Sequence, residues 1–221
     1  MANEEHLEQL RQYSRSWNRW RKKNSKVQLD LSGADLSRTN LQGINLHGTD
    51  LNGSNLSNTD LSYVNLSNAN LSNADLSNTN LSNADLSDTN LFRADLLRAN
   101  LSDCNLSDAI LREANLNEGN LRGANLSGTN LSGSDLSNTN LSGTNLLEAN
   151  MLRTNLSGTD LSGCDLSNTN LTKSRLSETQ LRGAKLSRAN LSEADLSQAK
   201  LSNESLIDAE LSGCDISNDN M

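Results

Sequence analysis

The side chains in this 221-residue sequence that could do chemistry are two histidines, three cysteines, and many serines and aspartates. Neither His6 nor His47 lies in a pattern that pairs a nucleophile with its base. Cys104, Cys164 and Cys214 form no closely spaced pair of the zinc-binding kind, and no phosphate loop or dinucleotide fingerprint occurs. We therefore predict no catalytic residue, no cofactor and no metal site, and we expect both histidines to be solvated.

The composition and the charge narrow the class of protein. The chain has no proline and few aromatic residues, and its net charge is −8. Residues 1–28 carry seven Lys/Arg and three Glu, a net charge of +4, which leaves −12 for the rest. An acidic body repels a nucleic-acid backbone, so we expect no direct nucleic-acid binding.

The sequence contains no long apolar segment. No run of 18 apolar residues occurs, so no membrane span is expected, and the N-terminus lacks the apolar centre of a signal peptide. An odd number of cysteines fits a reducing compartment. We expect the protein to be cytoplasmic, with the cysteines acting as small core residues.

A five-residue repeat dominates the chain. Leucine stands at every fifth position from Leu31 to Leu211, broken only by Met151, and Ile216 takes the next place. These 38 pivot positions fit neither the 3.6-residue period of an α-helix nor the two-residue period of a flat strand. A strict short repeat of this kind indicates a solenoid.

The second inward position lies two residues before each pivot and is small, usually Ala, Thr or Ser. The resulting Ala-(Asp/Asn)-Leu pattern, in runs such as Ala74-Asp75-Leu76-Ser77-Asn78, resembles the pentapeptide-repeat family over about 190 residues. The resemblance implies an all-β fold, a right-handed quadrilateral β-helix in which four repeats form one coil. Residues twenty apart should then stack, and the 38 pivots predict about 9.5 coils.

The N-terminal segment is predicted to cap this solenoid, whose open end would otherwise expose apolar pivots. We divide the chain into a capping helix, residues 1–27, and a repeat region, residues 28–221. Asn3 is a suitable N-cap residue, and basic residues near Lys23 suit the C-terminal end of the helix dipole. The apolar stripe that should pack on the first coil consists of Leu7, Leu10, Tyr13, Trp17 and Trp20.

Two further features bear on source and assembly. The Trp17–Arg21 stretch, followed by the repeats from Asp30, resembles the start of many cyanobacterial pentapeptide-repeat proteins. No helix follows the last repeat, and other members of the family dimerise through this end. A homodimer through the C-terminal coil and a monomer both stay open.

Outward-facing residues that depart from the repeat are candidates for binding. Apolar side chains flanked by arginine are typical of protein-binding hot spots, whereas scattered apolar surface residues are normal. A protein-binding surface and simple drift of the repeat therefore both stay open. The candidate surface comprises Phe92, Arg93, Leu97, Ile110, Arg112, Leu152 and Arg153.

These observations favour a non-enzymatic structural or interaction scaffold that binds a protein partner not identified by the sequence. The alternative is a DNA-mimicking protein that interacts with DNA gyrase, similar to the quinolone-resistance members of the family. The acidic repeat region supports that alternative. The leucine pivots and the absence of projecting loops depart from those relatives.

Overall fold

The computed structural model describes residues 2–10, 14–201 and 208–215, the side chains of Ser14 and Arg15 excepted. Tyr13 and Ile216 lie outside the described residues. No helix within these ranges is long and apolar enough to cross a membrane.

The N-terminal cap consists of two short helices, α1 (Glu4–Leu10) and α2 (Ser14–Lys23), where the sequence predicts one. Asn3 acts as the N-cap of α1, because its Oδ1 accepts the backbone N–H of Glu5 at 2.9 Å. Three cations close the last turn of α2, where the carbonyl end of the helix dipole favours positive charge. Leu10 and Trp17 are buried in the core, whereas Leu7 and Trp20 pack against it half-buried.

The repeat region is a stack of 20-residue coils. Parallel β-bridges join every fifth residue to the residue twenty positions later, from the Asp30–Asp50 bridge to the Asp195–Asp215 bridge. The twenty-residue stacking predicted from the sequence is therefore confirmed. A turn follows each pivot, which divides a coil into four sides; in chain order they carry Leu31 (side A), Leu36 (side B), Leu41 (side C) and Leu46 (side D). The corner between two sides is named by both letters.

A typical corner is a tight turn closed by a hydrogen bond from the residue three places after the pivot, as from Ala34 N–H to the Leu31 carbonyl at 3.1 Å. Only the second corner residue has a positive φ, as in Gly33 (66°) and Asn58 (59°), which defines a type II turn. Glycine and asparagine adopt this conformation at low cost. Their frequency at this place in the repeat follows from the turn.

The core lies inside the coils. From Leu46 to Leu196 the pivot side chains are at most 1% exposed, and the small inward residues pack beside them. Several buried threonines donate their hydroxyls to the backbone of the previous coil; Thr59 Oγ1 donates to the Leu36 carbonyl at 2.9 Å. Burial of each Leu side chain contributes about 1.5–3 kcal/mol to the stability of the fold. The stacked coils bury these side chains without any ligand.

The outward Asn and Asp residues stabilise the corners and link the coils. Their Oδ1 atoms accept the first corner N–H, as Asp35 does from Ser37 at 3.1 Å. Their amides also bond along the rod, from Asn100 Nδ2 to Asn80 Oδ1 at 3.1 Å and from Asn120 Nδ2 to Asn100 Oδ1 at 3.1 Å. These hydrogen bonds form rows along the rod, here called ladders. An outward residue that cannot make these bonds therefore interrupts a ladder.

The cap replaces the hydrogen bonds of a missing coil on sides A and D. On side D, Trp17 Nε1 donates to the Asn45 carbonyl at 2.7 Å, and Asn18 Oδ1 accepts the Asn45 N–H at 2.8 Å. On side A, the Asn3 N–H donates to the Asp30 carbonyl at 3.1 Å. The first-coil residues Asp35, Thr39 and Asn40 of sides B and C are exposed, so the two described helices leave these sides open.

Candidate protein-binding surface

The two histidines make hydrogen bonds within the fold. His6 is half-buried, and its Nδ1 accepts the Asp30 N–H at 3.1 Å, so the expectation that it is only solvated is wrong. His47 is exposed, as expected, with its Nδ1 2.9 Å from Ser67 Oγ. Among the described residues, no group of three His, Cys, Asp or Glu side chains could hold a metal ion.

The three cysteines are free thiols. Cys104 Sγ donates to the Leu81 carbonyl at 2.9 Å, and Cys164 Sγ donates to the Leu141 carbonyl at 2.8 Å. Burial raises the pKa of both thiols to about 12. Cys214 is half-buried, and burial raises its pKa as well. High pKa values make these thiols poor nucleophiles.

The centre of the candidate surface is a cluster around Phe92 on corner AB. The Arg93 Cζ lies 4.8 Å from the centroid of the Phe92 ring, and the Arg112 Cζ of the next coil lies 5.9 Å from it. Both guanidinium groups are within the range of a cation–π interaction. Arg93 Nε also pairs with Glu113 Oε2 at 2.7 Å. The twenty-residue spacing thus brings Phe92 and Arg112 together, as the sequence predicts.

Ile110 lies on side A of the next coil and is 43% exposed. It bridges Asn90 and Asn130, so its apolar side chain interrupts an outward ladder of amides. Elsewhere in that ladder Asn90 Nδ2 donates to Asn70 Oδ1 at 3.2 Å. The replacement removes a link between coils and leaves an apolar group facing solvent.

The outer members of the candidate surface are separated from this centre. Leu97 lies on corner BC, where its neighbour Arg98 pairs with Glu118 at 2.7 Å; this ion pair lowers the pKa of Glu118 and raises that of Arg98. Leu152 and Arg153 lie on corner AB, two coils beyond Arg112, which is about 10 Å at the usual strand spacing. Phe92, Leu97 and Leu152 are half-buried. The surface is therefore a compact aromatic–arginine centre with apolar outliers.

Two apolar residues of the outer faces are missing from the sequence prediction. Tyr63 is 62% exposed on corner CD, diagonally opposite Phe92. Leu147 lies half-buried on corner DA. Both depart from the Ser/Asn/Gly corner pattern and could have been found by that signal.

The match to a known family lies in the repeat region. A sequence profile described as pentapeptide repeats (8 copies) matches residues 30–68, 69–108, 109–146, 149–188 and 189–218. No curated protein sequence matches the chain.

Solved structures share the architecture. The chain is 30% identical to HetL, a pentapeptide repeat protein involved in heterocyst differentiation regulation from the cyanobacterium Nostoc sp. strain PCC 7120, with 84% of each chain covered and a TM-score of 0.62. It is 24% identical to QnrB1, a plasmid-mediated fluoroquinolone resistance protein, with 75% of this chain and 85% of QnrB1 covered and a TM-score of 0.54. The likeness to QnrB1 shows the fold alone.

Proposed function

Since the chain belongs to the pentapeptide-repeat family, we propose that it is a non-enzymatic scaffold that binds a protein partner through the Phe92 corner. Pentapeptide-repeat proteins fold as right-handed quadrilateral β-helices and are generally non-enzymatic structural proteins. The binding surface is the set defined above: Phe92, Arg93, Leu97, Ile110, Arg112, Leu152 and Arg153.

The observation that carries the proposal is the Phe92 ring held between two guanidinium groups. Aromatic residues and arginines dominate binding energy at protein interfaces, and the cation–π contacts hold the ring in place before a partner arrives. Within the described residues Arg112 forms no ion pair, so its charge can meet a carboxylate of the partner. Ile110 adds apolar surface on the adjacent side.

HetL supports a role in regulation by binding. It has the same fold, 30% identity over 84% of each chain, and a part in the regulation of heterocyst differentiation. A rod without a catalytic group can contribute to regulation only by contact with other molecules. We extend to this chain a part in regulation, through contact with a partner, and not the HetL pathway.

Gyrase interaction by DNA mimicry is the alternative. The specific observation that favours it is the charge of −12 on residues 29–221. Against it, arginines lie at the corners of the acidic region, and many outward carboxylates accept hydrogen bonds within their own turns, as Asp35 does. We rank it below the scaffold proposal.

A pull-down from a cyanobacterial lysate tests both functions. The triple variant Phe92→Ser/Ile110→Asn/Leu152→Ser restores the residue types of the repeat at three positions, so it should keep the fold. Leu147→Ser is the matched control, because it removes an apolar corner side chain outside the surface. The proposal predicts a protein retained by the wild type and by Leu147→Ser and lost by the triple variant.

Three outcomes have distinct meanings. Gyrase subunits among the retained proteins would favour the mimicry alternative. A partner retained equally by the triple variant would place the interface elsewhere on the rod. Identical and empty captures with all folded variants would contradict the binding surface.

A further inference from the structure

A cleft of about 520 Å³ lies between helix α2 and the first two coils, at corner CD. Its walls include Arg21 and Lys22 of α2, and Ile44, His47 and Tyr63 of the coils. Corner CD is diagonally opposite the Phe92 corner, so this cleft is separate from the surface proposed above.

Tyr63 is out of place at its position in the turn. Its φ is 59°, in the left-handed region where a bulky side chain is strained. The other described residues of this corner column are glycine, asparagine or aspartate: Gly43, Asn83, Asp103, Gly123, Gly143, Gly163 and Gly183. Tyr63 is 62% exposed, and its hydroxyl has no hydrogen-bond partner within the described part of the chain. Other large corner residues, such as Arg93 and Glu113, share this φ, so what distinguishes Tyr63 is an aromatic ring that is mostly exposed and therefore available to a ligand.

Arg21 places a positive charge in the cleft wall. Its side chain is only 6% exposed, and its guanidinium donates to the carbonyls of Asn24 (3.2 Å), Val27 (2.9 Å) and His47 (2.7 Å). Its buried Nε has no hydrogen-bond partner among the described residues, and none of their ion pairs includes Arg21. Buried charges are normally paired.

The charged and apolar groups around Arg21 indicate which kind of ligand would fit the cleft. Lys22 is exposed beside Arg21, and no Asp or Glu lines the cleft. An anion in the cleft would pair directly with the Lys22 ammonium group and would compensate the charge of Arg21, whose Nη atoms already donate three hydrogen bonds. Ile44 and the Tyr63 ring offer apolar contacts next to that charge. The complementary ligand therefore carries a carboxylate next to an aromatic or aliphatic group.

We propose that this cleft binds a short acidic segment of a partner protein, with a carboxylate at Lys22 and Arg21 and an aromatic or aliphatic side chain against Tyr63. A site for a small molecule usually encloses most of its ligand, whereas a Tyr63 ring this exposed marks an open cleft that suits a protruding segment. The acidic rod repels a long polyanion such as a nucleic acid. These two properties favour a short peptide.

Fluorescence anisotropy with a fluorescein-labelled peptide, Gly-Asp-Glu-Phe-Asp-Glu-Gly, tests the proposal. The wild type should bind it saturably, and binding should weaken with added salt, because exposed charges are screened. The peptide with Ala in place of Phe should bind about fivefold more weakly, since the aromatic contact is lost. A peptide with Lys in place of each acidic residue should not bind.

The variants make the test specific to the cleft. Tyr63→Asn introduces the residue found at Asn83 of the same corner, so the fold is retained, and it should weaken binding about fivefold. Lys22→Gln should weaken binding about threefold. Lys173→Gln makes the same charge change far along the rod and should leave binding unchanged, as should the Phe92→Ser/Ile110→Asn/Leu152→Ser variant.

Three results would overturn the proposal. The first is the absence of saturable binding to the acidic aromatic peptide up to about 1 mM. The second is equal binding by wild type and Tyr63→Asn, and the third is tighter binding of a labelled single-stranded DNA oligonucleotide than of the peptide at equal salt. Because the Phe92-corner variant keeps the cleft, failure of the cleft proposal and failure of the scaffold proposal are distinguishable.

Discussion

At the scale of single residues, position in the pentapeptide decides what a side chain does. The pivot and the small residue before it pack inward, the Asn/Asp between them closes the turn, and the second corner residue carries the positive φ. A residue that departs from the repeat therefore loses a specific interaction or strains the backbone. Ile110 loses a ladder hydrogen bond, and Tyr63 carries backbone strain.

Replacement of Tyr63 should separate stability from binding. Tyr63→Asn relieves left-handed strain and should raise the free energy of unfolding by about 1 kcal/mol, while it weakens binding of the acidic peptide. Urea unfolding followed by circular dichroism measures the first effect. A destabilised variant would mean that Tyr63 packs more favourably than its exposure indicates.

The thiols should differ in reactivity because their burial differs. Burial raises the pKa of Cys104 and Cys164 to about 12, so neither forms much thiolate at pH 8. Cys214 is only half-buried and should react first with a thiol reagent under native conditions. Mass spectrometry of the labelled chain identifies the site. Equal labelling of all three cysteines without denaturant would contradict the buried positions of the first two.

Acid should destabilise the fold by protonating the corner carboxylates. The Ser37 hydroxyl and backbone N–H hold the pKa of Asp35 below its ordinary value of 3.8. A lowered pKa stabilises the fold above about pH 4, and this contribution is lost as the pH falls through the folded-state pKa. Asp35→Asn keeps the turn, since Asn55 accepts the Ser57 N–H in the same way at 3.1 Å. The stability advantage of wild type over Asp35→Asn should shrink between pH 5 and pH 2 in urea titrations, and a constant difference would contradict this origin.

At the scale of elements, the repeat predicts the coils but not how the cap packs on the first coil. The five-residue spacing of the leucines and the twenty-residue recurrence of inner threonines such as Thr59 and Thr79 are visible in the sequence, and they determine which residues stack. The hydrogen bond from the Asp30 N–H to His6 is not visible in the sequence. It depends on how the cap docks on the first coil, and no repetition encodes that contact.

The same reason limits prediction of the sites. The spacing of Phe92 and Arg112 predicts their contact, because both lie within the repeat. The cleft joins Arg21 of the cap to Tyr63 of the second coil, and their proximity depends on the docking of α2. Sequence spacing alone could identify Tyr63 as unusual but could not supply its neighbours.

The cap should contribute measurably through the indole of Trp17. Trp17→Phe keeps a buried ring but removes the donor to the Asn45 carbonyl, so it should lower the free energy of unfolding by about 1–3 kcal/mol. Trp20→Phe is the matched control, because Trp20 is half-buried and none of the hydrogen bonds described for the chain involves its indole. Urea unfolding of both variants tests this difference. Equal midpoints for the two variants would show that the hydrogen bond contributes little.

At the scale of the whole molecule, the first coil and the last described pivots differ in burial. The cap covers part of the first coil, whereas the last described pivots, Leu201 and Leu211, are half-buried instead of fully buried. Partly exposed pivots favour association with a second copy. Homodimerisation through the C-terminal coil therefore stays a proposal. Sedimentation equilibrium should show a dimer that Leu211→Asp disrupts, and a monomer at all concentrations would contradict it.

The central claim is that the Phe92 corner of a rigid, non-catalytic rod contacts a protein partner. Photo-crosslinking tests it most directly, with benzoylphenylalanine in place of Phe92 in one protein and in place of Ser192 in another. Ser192 lies on the same corner five coils further along, about 24 Å away. The account predicts one discrete protein adduct at position 92 in native lysate and none at position 192. No adduct at position 92, or the same adducts at both positions, would contradict it.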